Sequence, residues 1–227
     1  IWRVSEASRE GRDALKALDI DHKVSPVDGR RGGSVTARTT LKRFIEQRLN
    51  TYHVDRNHPE RHGGSGLSPW LHFGHISSFE IVNEVLTSQK WNPMLITPPH
   101  NGRRAGWWGL SEGAEAFLDQ VITWRELGFV YCYEHPDHTS YETLPEWAKK
   151  TLEEHATDER PYVYTFEQLE NAETHDPLWN AAQMQLRKEG IIHNYLRMLW
   201  GKKVLEWCPD PEEACEWLIQ LNDRWAL

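Results

Sequence analysis

The spacing of the apolar residues constrains the fold of this chain more than any other feature of its sequence. Between residues 113 and 133 these residues recur with the period of about 3.6 that defines an α-helix, and they do not alternate strictly as in a strand. They are Phe117, Leu118, Val121, Ile122, Trp124 and Tyr131. The pattern predicts a long, half-buried helix. Since no stretch of the chain carries a convincing β pattern, the sequence predicts an all-α fold.

Signals for helix starts recur along the chain. Ser68 can cap a helix with Pro69 at its first position, and Ser77 with Glu80 three residues on predicts a capping box for a second helix. Further helices are predicted from near Pro145, after Thr165, from Asp176 to Gly190, and over residues 192–207 and 210–227.

A connector precedes these helices. Residues 22–34 are rich in Gly, Pro and charge, and they predict a linker that leads into a helix at about residues 35–52. The opening residues lack the basic-then-apolar layout of a signal peptide, so the chain is interpreted as an internal part of a longer polypeptide. We therefore assign residues 1–34 to a connector remnant and residues 35–227 to one helical domain.

The composition favours a protein of the cytoplasm. No apolar run approaches the roughly 18 residues that a bilayer-spanning helix needs, so no membrane segment is predicted. The three cysteines, Cys132, Cys208 and Cys215, form no CxxC pair, which is typical of reduced thiols. The histidines between residues 53 and 75 match no metal-site spacing, and no metal is predicted.

Charge is distributed unevenly along the chain. The formal net charge of −8 at pH 7 argues against an extended basic surface. Basic residues nevertheless gather in one stretch, at Arg187, Lys188, Arg197, Lys202 and Lys203. This stretch predicts either a local nucleic-acid-binding face, whose affinity would fall with added salt, or a solvated helix face.

Tryptophan is unusually abundant, with 12 residues in 227. Trp200 and Trp207 are seven positions apart, which places both on one face of a helix, about 10.5 Å from each other along its axis. Because indoles are large apolar side chains, packing in the core is the default interpretation of this spacing.

Five segments together resemble the flavin-binding helical domain of the DNA photolyases in their order and spacing. They are SGLSPWLHFGHIS (65–77), FLDQVITWREL (117–127), THDPLWNAAQ (174–183), EGIIHNYLRMLWGKKVLEW (189–207) and LIQLNDRWAL (218–227). The similarity covers residues 35–227 and is greatest to class II cyclobutane pyrimidine dimer photolyases and their bacterial relatives. It implies an all-α FAD-binding domain of the photolyase/cryptochrome type, without the N-terminal α/β antenna domain. The implied activity is light-driven repair of cyclobutane pyrimidine dimers in UV-damaged DNA.

The resemblance implies FAD as the cofactor. The residues that match the family's FAD-binding positions are Tyr52, Ser65, Gly66, Leu67, Ser68, Phe117, Arg197 and Asn222. The stretch 65–68 would hold the phosphates, and a small-residue turn that leads into a helix N-terminus does offer free N–H groups to an anion. Asn222 would face the reactive edge of the flavin ring.

The resemblance also gives the tryptophans a role. The family's three-tryptophan relay maps onto Trp200 nearest the flavin, Trp179 in the middle and Trp207 toward solvent. With Asn222, these are the predicted catalytic residues. Such a relay would carry electrons from the protein surface to photoexcited flavin. Packing of three core indoles is the alternative interpretation.

A lesion-binding pocket is implied as well. Its residues would be Gln120, Trp124, Arg125, Asn194, Tyr195 and Met198, with Lys202 and Lys203 as further phosphate contacts. Gln120 and Trp124 are four positions apart, so an amide and an aromatic ring can face an extruded base pair together. Many photolyases carry a glutamate where Gln120 stands. This difference leaves open a cryptochrome-like blue-light sensor. A helical DNA-binding domain without a cofactor is a further alternative.

The family pattern extends beyond these residues at both ends. Relatives continue past residue 227 into an Asp-Gly-Arg-Asp-Pro run whose first carboxylate pairs with the arginine that matches Arg197. Burial of Arg197 without that partner would be costly. We therefore expect this chain alone to bind FAD weakly or not at all, to bind no antenna chromophore, and to be a monomer.

Overall fold

The computed structural model describes residues 18–97, 105, 106 and 108–227. Within this part of the chain the structure is helical and contains no β-strand, which confirms the predicted all-α fold. The helices are α1 (Ser34–Gln47), α2 (Tyr52–Asp55), α3 (Ser68–His72), α4 (Ser78–Ser88), α5 (Glu112–Leu118), α6 (Arg125–Glu134), α7 (Glu146–Glu154), α8 (Phe166–Glu170), α9 (Pro177–Glu189), α10 (Asn194–Trp207) and α11 (Pro211–Trp225). None of them is long and apolar enough to cross a membrane. Residues 1–17 of the predicted connector lie outside the described residues.

The first half of the chain packs around three aromatic rings. Phe44 of α1 meets Tyr52 of α2 and Phe117 of α5, with ring centroids 5.6 and 4.6 Å apart. The helix predicted at residues 35–52 is divided, because α1 ends at Gln47 and a 3-10 turn at Leu49–Thr51 leads into α2. We call the buried residues around these rings the N-terminal core: Ala37, Leu41, Phe44, Leu49, Tyr52, Leu67, Trp70, Ile76, Ile81, Val85, Ala114, Phe117, Leu118 and Val121.

Of the two predicted helix caps, Ser77 caps α4 and Ser68 does not cap α3. Ser77 caps α4 as predicted, since its side chain accepts a hydrogen bond from the backbone N–H of Glu80 at 3.1 Å. The Glu80 carboxylate, however, pairs with Arg38 at 2.5 Å. The prediction of Ser68 as a cap is wrong. Leu67 already has helical torsion angles, so Ser68 lies inside the first turn of α3, and no side chain caps this helix.

The long helix predicted over residues 113–133 is interrupted, and only its first half is buried. α5 ends at Leu118, a π-helical turn spans Asp119–Trp124, and α6 follows. No residue of α6 is buried, and 60% of Trp124 is exposed. The expectation of a half-buried helix is therefore wrong beyond Ile122, because every residue of α6 is exposed to solvent.

The second half of the chain packs around tryptophans. As predicted, α8 begins after Thr165, and α9 runs from its cap at Asp176 to Gly190. Thr165 starts α8 with a capping box. Pro145 precedes α7, which also agrees with the prediction. We call the main cluster of buried hydrophobic residues in this half the C-terminal core: Leu169, Trp179, Leu186, Ile192, Trp200, Val204, Trp207 and Leu221.

One side chain joins the two cores. His193 precedes α10, and its Nε2 lies 3.0 Å from the backbone oxygen of Arg56. Its Nδ1 accepts a hydrogen bond from the backbone N–H of Tyr195 at 3.2 Å. Because a carbonyl oxygen can only accept, Nε2 carries the proton of the neutral ring and donates it to Arg56. The start of α10 is thereby fixed beside α2.

The three cysteines are unpaired. Cys208 is buried and Cys215 half-buried, and desolvation raises the pKa of both thiols. Cys132 is exposed on α6.

Glu115 is a buried carboxylate that fixes the loop before α5. Its exposed fraction is 6%, and its oxygens accept hydrogen bonds from the backbone N–H groups of Gly106, Trp108 and Leu110. A hydrogen bond to a charged acceptor contributes about 1.5–3 kcal/mol. We therefore expect the Glu115→Ala variant to lose about 3 kcal/mol of its free energy of unfolding, as measured by urea denaturation.

The matched control is Glu112→Ala, one turn earlier on α5. The Glu112 side chain is 85% exposed, and substitutions at exposed positions change stability by about 0.5 kcal/mol or less. Equal urea midpoints for Glu115→Ala and the wild type would contradict the role of Glu115 in fixing this loop.

Candidate functional site

Three tryptophans form a continuous stack in the C-terminal core. The rings of Trp179 on α9 and Trp200 on α10 are nearly parallel, with centroids 6.2 Å apart and an interplanar angle of 4°. Trp207, at the end of α10, meets Trp179 edge-on with centroids 5.5 Å apart. The ring contacts thus run from Trp200 through Trp179 to Trp207, the order in which the family resemblance arranged them.

Hydrogen bonds fix the orientation of the stack. The indole N–H of Trp179 donates to the backbone oxygen of Trp200 at 3.0 Å. The indole N–H of Trp200 donates to Oε1 of Gln183 at 2.9 Å, and the Gln183 amide donates to the backbone oxygen of Glu170 at 3.2 Å. Gln183 is fully buried. It is absent from the residues predicted from the sequence, although its position four residues after Trp179 places it on the same face of α9.

Trp207 does not face solvent, in contrast to the prediction. Its exposed fraction is 2%. Tyr164 and His175 pack against it, with ring centroids 5.4 and 5.3 Å away. The ammonium group of Lys203 lies 5.6 Å from the centroid of the Trp207 ring. Tyr164 and His175 therefore separate Trp207 from solvent.

Arg197 and Asn222 form a polar pair one helical turn from Trp200. Nη1 of Arg197 on α10 donates to Oδ1 of Asn222 on α11 at 2.5 Å. Burial lowers the pKa of the Arg197 guanidinium. Within the described residues, no carboxylate lies at ion-pair distance from it. A half-buried cation whose partner is a neutral amide fits an anionic ligand group, because such a group would supply the missing charge.

The stretch 65–68 offers small polar groups at the surface of the N-terminal core. Gly66 has φ of 72°, in the left-handed region that favours glycine. Gly66 and Ser68 are exposed and Ser65 is half-buried, with its Oγ accepting from the Leu67 N–H at 3.3 Å. The Leu67 side chain is fully buried, so this predicted cofactor contact has only its backbone to offer.

Arg48 adds positive charge beside this stretch. Its Nη1 donates to the backbone oxygens of His62 and Gly64 at 3.3 and 2.9 Å. Its Nε is buried and has no hydrogen-bond partner among the described residues. Burial lowers the pKa of the Arg48 guanidinium. An arginine bound to the backbone of Gly64, one residue before the stretch 65–68, adds a charged donor that suits phosphate groups.

Tyr52 and Phe117, also predicted to contact the cofactor, lie in the N-terminal core. Their exposed fractions are 8% and 2%, and their ring centroids are 5.3 Å apart. Burial raises the pKa of the Tyr52 hydroxyl. The Arg56 guanidinium lies 5.6 Å from the Tyr52 ring centroid. Both rings offer little surface to a ligand, and the Tyr52 ring instead supports Arg56.

The π-helical turn holds Gln120 and Trp124 in one hydrogen-bonded group. The Trp124 indole N–H donates to Oδ2 of Asp119 at 3.0 Å, because a π-helix brings residues five positions apart together. With its amide oxygen turned toward Arg56, Gln120 accepts from Arg56 Nη1 at 3.0 Å and from the Trp124 N–H at 3.3 Å. The amide and the ring predicted to face a lesion therefore lie side by side.

The other predicted lesion contacts lie at the start of α10. Asn194, Tyr195 and Met198 are exposed there. The hydrogen bond between His193 and Arg56 brings this end of α10 beside the residue that also contacts Gln120. The two groups of predicted lesion residues are thus connected through the Arg56 residue.

The predicted phosphate contacts have acidic neighbours. Arg125 pairs with Glu126 at 2.5 Å and Lys203 with Glu206 at 2.8 Å, while Lys202 is exposed. Exposed ion pairs contribute little free energy, about 0–1 kcal/mol. These pairs therefore leave the basic groups available to a polyanion.

Curated proteins with similar sequences are deoxyribodipyrimidine photo-lyases. The chain is 40% identical over 210 residues to the one from Potorous tridactylus, covering 92% of this chain and 36% of that relative. It is 41% identical over 185 residues to the one from Oryza sativa subsp. japonica, covering 81% and 33%. For the one from Methanothermobacter thermautotrophicus the identity is 37% over 224 residues, covering 98% and 44%. The chain thus spans from about a third to somewhat less than half of the length of these relatives. No family model matches it.

A solved structure with a similar fold is that of a bacterial class III photolyase from Agrobacterium tumefaciens. The superposition covers 84% of this chain and 38% of that chain, with a TM-score of 0.54 and 19% sequence identity. At this identity the likeness concerns the fold alone. It agrees with the predicted helical domain.

Proposed function

We propose that this chain belongs to the photolyase family, as a segment of its longer relatives, and that it forms the FAD-binding helical part of a class II-type deoxyribodipyrimidine photo-lyase. The proposed activity is light-driven repair of cyclobutane pyrimidine dimers in DNA. The observation that carries the proposal is the ring contact from Trp200 through Trp179 to Trp207. A continuous series of oxidisable rings that begins one turn from the polar pair of Arg197 and Asn222 suits electron transfer to a bound cofactor.

FAD is the cofactor that the donor sets favour. Arg48 with the stretch 65–68 would bind its phosphates, and Arg197 with Asn222 would hydrogen-bond its ring. When bound, FAD supplies the light absorption and the one-electron chemistry. The protein's own task is to orient the ring, to exclude water from it and to supply electrons through the tryptophans.

Gln120 and Trp124 would contact the lesion. A dimer that stays stacked in a duplex cannot enter an enclosed site, so it has to be extruded. The exposed Trp124 ring offers a surface on which an extruded base can stack, and the Gln120 amide can both donate and accept hydrogen bonds. Asp119 and Arg56 would keep these two groups in place through the contacts described above.

The setting that we propose is a reducing one. The unpaired cysteines support a cytoplasmic protein. UV-damaged DNA is the proposed partner, the proposed state is a monomer, and an antenna chromophore would need residues outside this chain.

We expect the Trp124→Ala variant to bind dimer-containing DNA about tenfold to hundredfold more weakly, because stacking of a base on an aromatic ring contributes about 1–3 kcal/mol. At limiting DNA, repair under blue light should fall by the same factor. The measurement compares repair of a dimer-containing oligonucleotide by wild type and variant, with FAD in excess and kept reduced chemically.

Trp147→Ala is the matched control, because Trp147 is also exposed but lies on α7. Repair that needs light and falls in Trp124→Ala alone would support the proposal. Light-driven flavin reduction without repair would point to a cryptochrome-like sensor instead. DNA binding that illumination does not change, with no flavin bound, would point to a DNA-binding domain without a cofactor.

A further inference from the structure

Tyr164 and His175 form a hydrogen-bonded pair. The Tyr164 hydroxyl oxygen lies 2.7 Å from Nδ1 of His175, and it also accepts a hydrogen bond from the backbone N–H of His175 at 2.9 Å. Because a backbone N–H can only donate, the hydroxyl's own proton is available to Nδ1. The neutral pair is therefore arranged as a phenol that donates and an imidazole that accepts.

This pair lies between Trp207 and the surface. Both rings contact the buried Trp207 ring, and the backbone N–H of Tyr164 donates to the Trp207 backbone oxygen at 3.3 Å. His175 is exposed, and the half-exposed ring of Tyr162 stacks on it with centroids 3.6 Å apart. Aromatic contacts thus continue from the tryptophan stack to solvent.

We propose that Tyr164 is the terminal electron donor of the tryptophan series and that His175 accepts its proton. The inference rests on the electron-transfer role proposed above for Trp207. After Trp207 has lost an electron, one electron passes to it from the Tyr164 phenol, and the phenol proton passes to Nδ1 of His175. The products are neutral tryptophan, a tyrosyl radical and an imidazolium ion.

A thiolate from solution completes the cycle. It gives one electron to the tyrosyl radical and becomes a thiyl radical. The proton on His175 returns to the Tyr164 oxygen at the same time. Phenol and neutral imidazole are restored, and the half-exposed position of the pair gives a small reductant access to it.

The burial of Trp207 favours this step. A positive charge on the buried Trp207 ring is poorly solvated. Transfer of the electron and proton moves that positive charge to the exposed His175 ring, where water solvates it. The 2.7 Å distance between the Tyr164 hydroxyl oxygen and Nδ1 of His175 lets the proton transfer directly, with no water molecule between them.

The test uses the flavin-free chain. Azidyl radicals made by pulse radiolysis remove one electron from tryptophan, and the optical bands of the tryptophan and tyrosine radicals are followed in time. In the wild type we expect the tryptophan band to decay while the tyrosine band grows at a rate independent of protein concentration. Tyr164→Phe and Trp207→Phe should each remove the same part of this growth, and the control Tyr162→Phe should retain it.

His175→Phe tests the proton acceptor. Phenylalanine keeps a ring against Trp207 but accepts no proton, so we expect the Tyr164 growth to slow by about a hundredfold, within the range that a positioned base contributes to a proton transfer. In the wild type the growth should be slower in D₂O than in H₂O, because a proton moves with the electron. A purely structural role of His175 would give no such isotope effect.

Full tyrosine growth in Tyr164→Phe would overturn the proposal, as would equal wild-type rates in D₂O and H₂O. Thermal melts followed by circular dichroism verify that each variant is folded, and the Trp207→Phe and His175→Phe results stand independently of the Tyr164 variant. No flavin or DNA is present, so a failure here is distinct from a failure of the proposed repair activity.

Discussion

The Trp179→Phe variant is expected to lose light-driven reduction of FAD and to stay folded. Trp179 contacts Trp200 and Trp207, with ring centroids 6.2 and 5.5 Å away, so it connects the two ends of the stack. A phenyl ring fills most of the same space but gives up an electron far less readily than an indole, which breaks the series in its middle. The measurement is the flavin absorption band under blue light, with FAD in excess and a thiol as the electron source.

Loss of the indole N–H should not unfold the variant. Its hydrogen bond to the Trp200 backbone oxygen contributes about 1 kcal/mol, which is small beside the 5–15 kcal/mol typical of a folded domain. Thermal melts of Trp179→Phe and the wild type test this expectation directly.

A repair assay distinguishes a variant that has lost only the tryptophan relay from one that has lost the FAD or lesion site. Trp179→Phe supplied with chemically reduced FAD should repair dimers at the wild-type rate, because the relay serves only the reduction. Trp147→Phe is the matched control, since Trp147 is exposed on α7. Wild-type photoreduction in Trp179→Phe would contradict the relay. Failure of the FAD-loaded wild type to photoreduce its bound FAD would contradict the proposed function.

The sequence predicts one part of the tryptophan stack and misses its surroundings. The shared face of Trp200 and Trp207 follows from helical periodicity, and the structure buries both on that face. Gln183, Tyr164 and His175 were not predicted, because their contacts cross between helices and loops that are distant in sequence. Tertiary packing sets such contacts, and no local pattern encodes them. The family resemblance supplied the partner on α9, but not the aromatic pair that separates Trp207 from solvent.

Helix starts could be predicted from the sequence, whereas the burial of each helix could not. The caps at Thr165 and Asp176 were predictable, because a cap depends on residues within one turn. The exposure of α6 was not predictable. An apolar stripe predicts that one face of a helix packs against other residues, but it does not identify those residues. Ser68 was misassigned since Leu67 adopts helical torsion angles, a choice set by its burial in the N-terminal core.

The Gly113→Ala variant is expected to lose about 4 kcal/mol or more of its free energy of unfolding. At Gly113, α5 crosses the turn Leu49–Thr51, and a Cβ there would overlap the backbone oxygen of Leu49 and lie 2.7 Å from that of Asn50. Backbone atoms of a turn that leads directly into α2 cannot rotate away as a flexible side chain would. The loss would therefore separate α5 from Tyr52 and disrupt the core that supports Gln120 and Arg56.

Gly128→Ala is the matched control, because it makes the same chemical change in the interior of a helix. Gly128 lies on the exposed α6, where a Cβ would meet no atom within 4 Å. Alanine is favoured over glycine in a helix by about 1 kcal/mol, so this variant should be more stable than the wild type. Urea denaturation of both variants measures the two effects, which should have opposite signs. An unchanged midpoint for Gly113→Ala would mean that α5 does not pack against the Leu49 turn, and the position of the π-helical turn that holds Trp124 would then lose its structural basis.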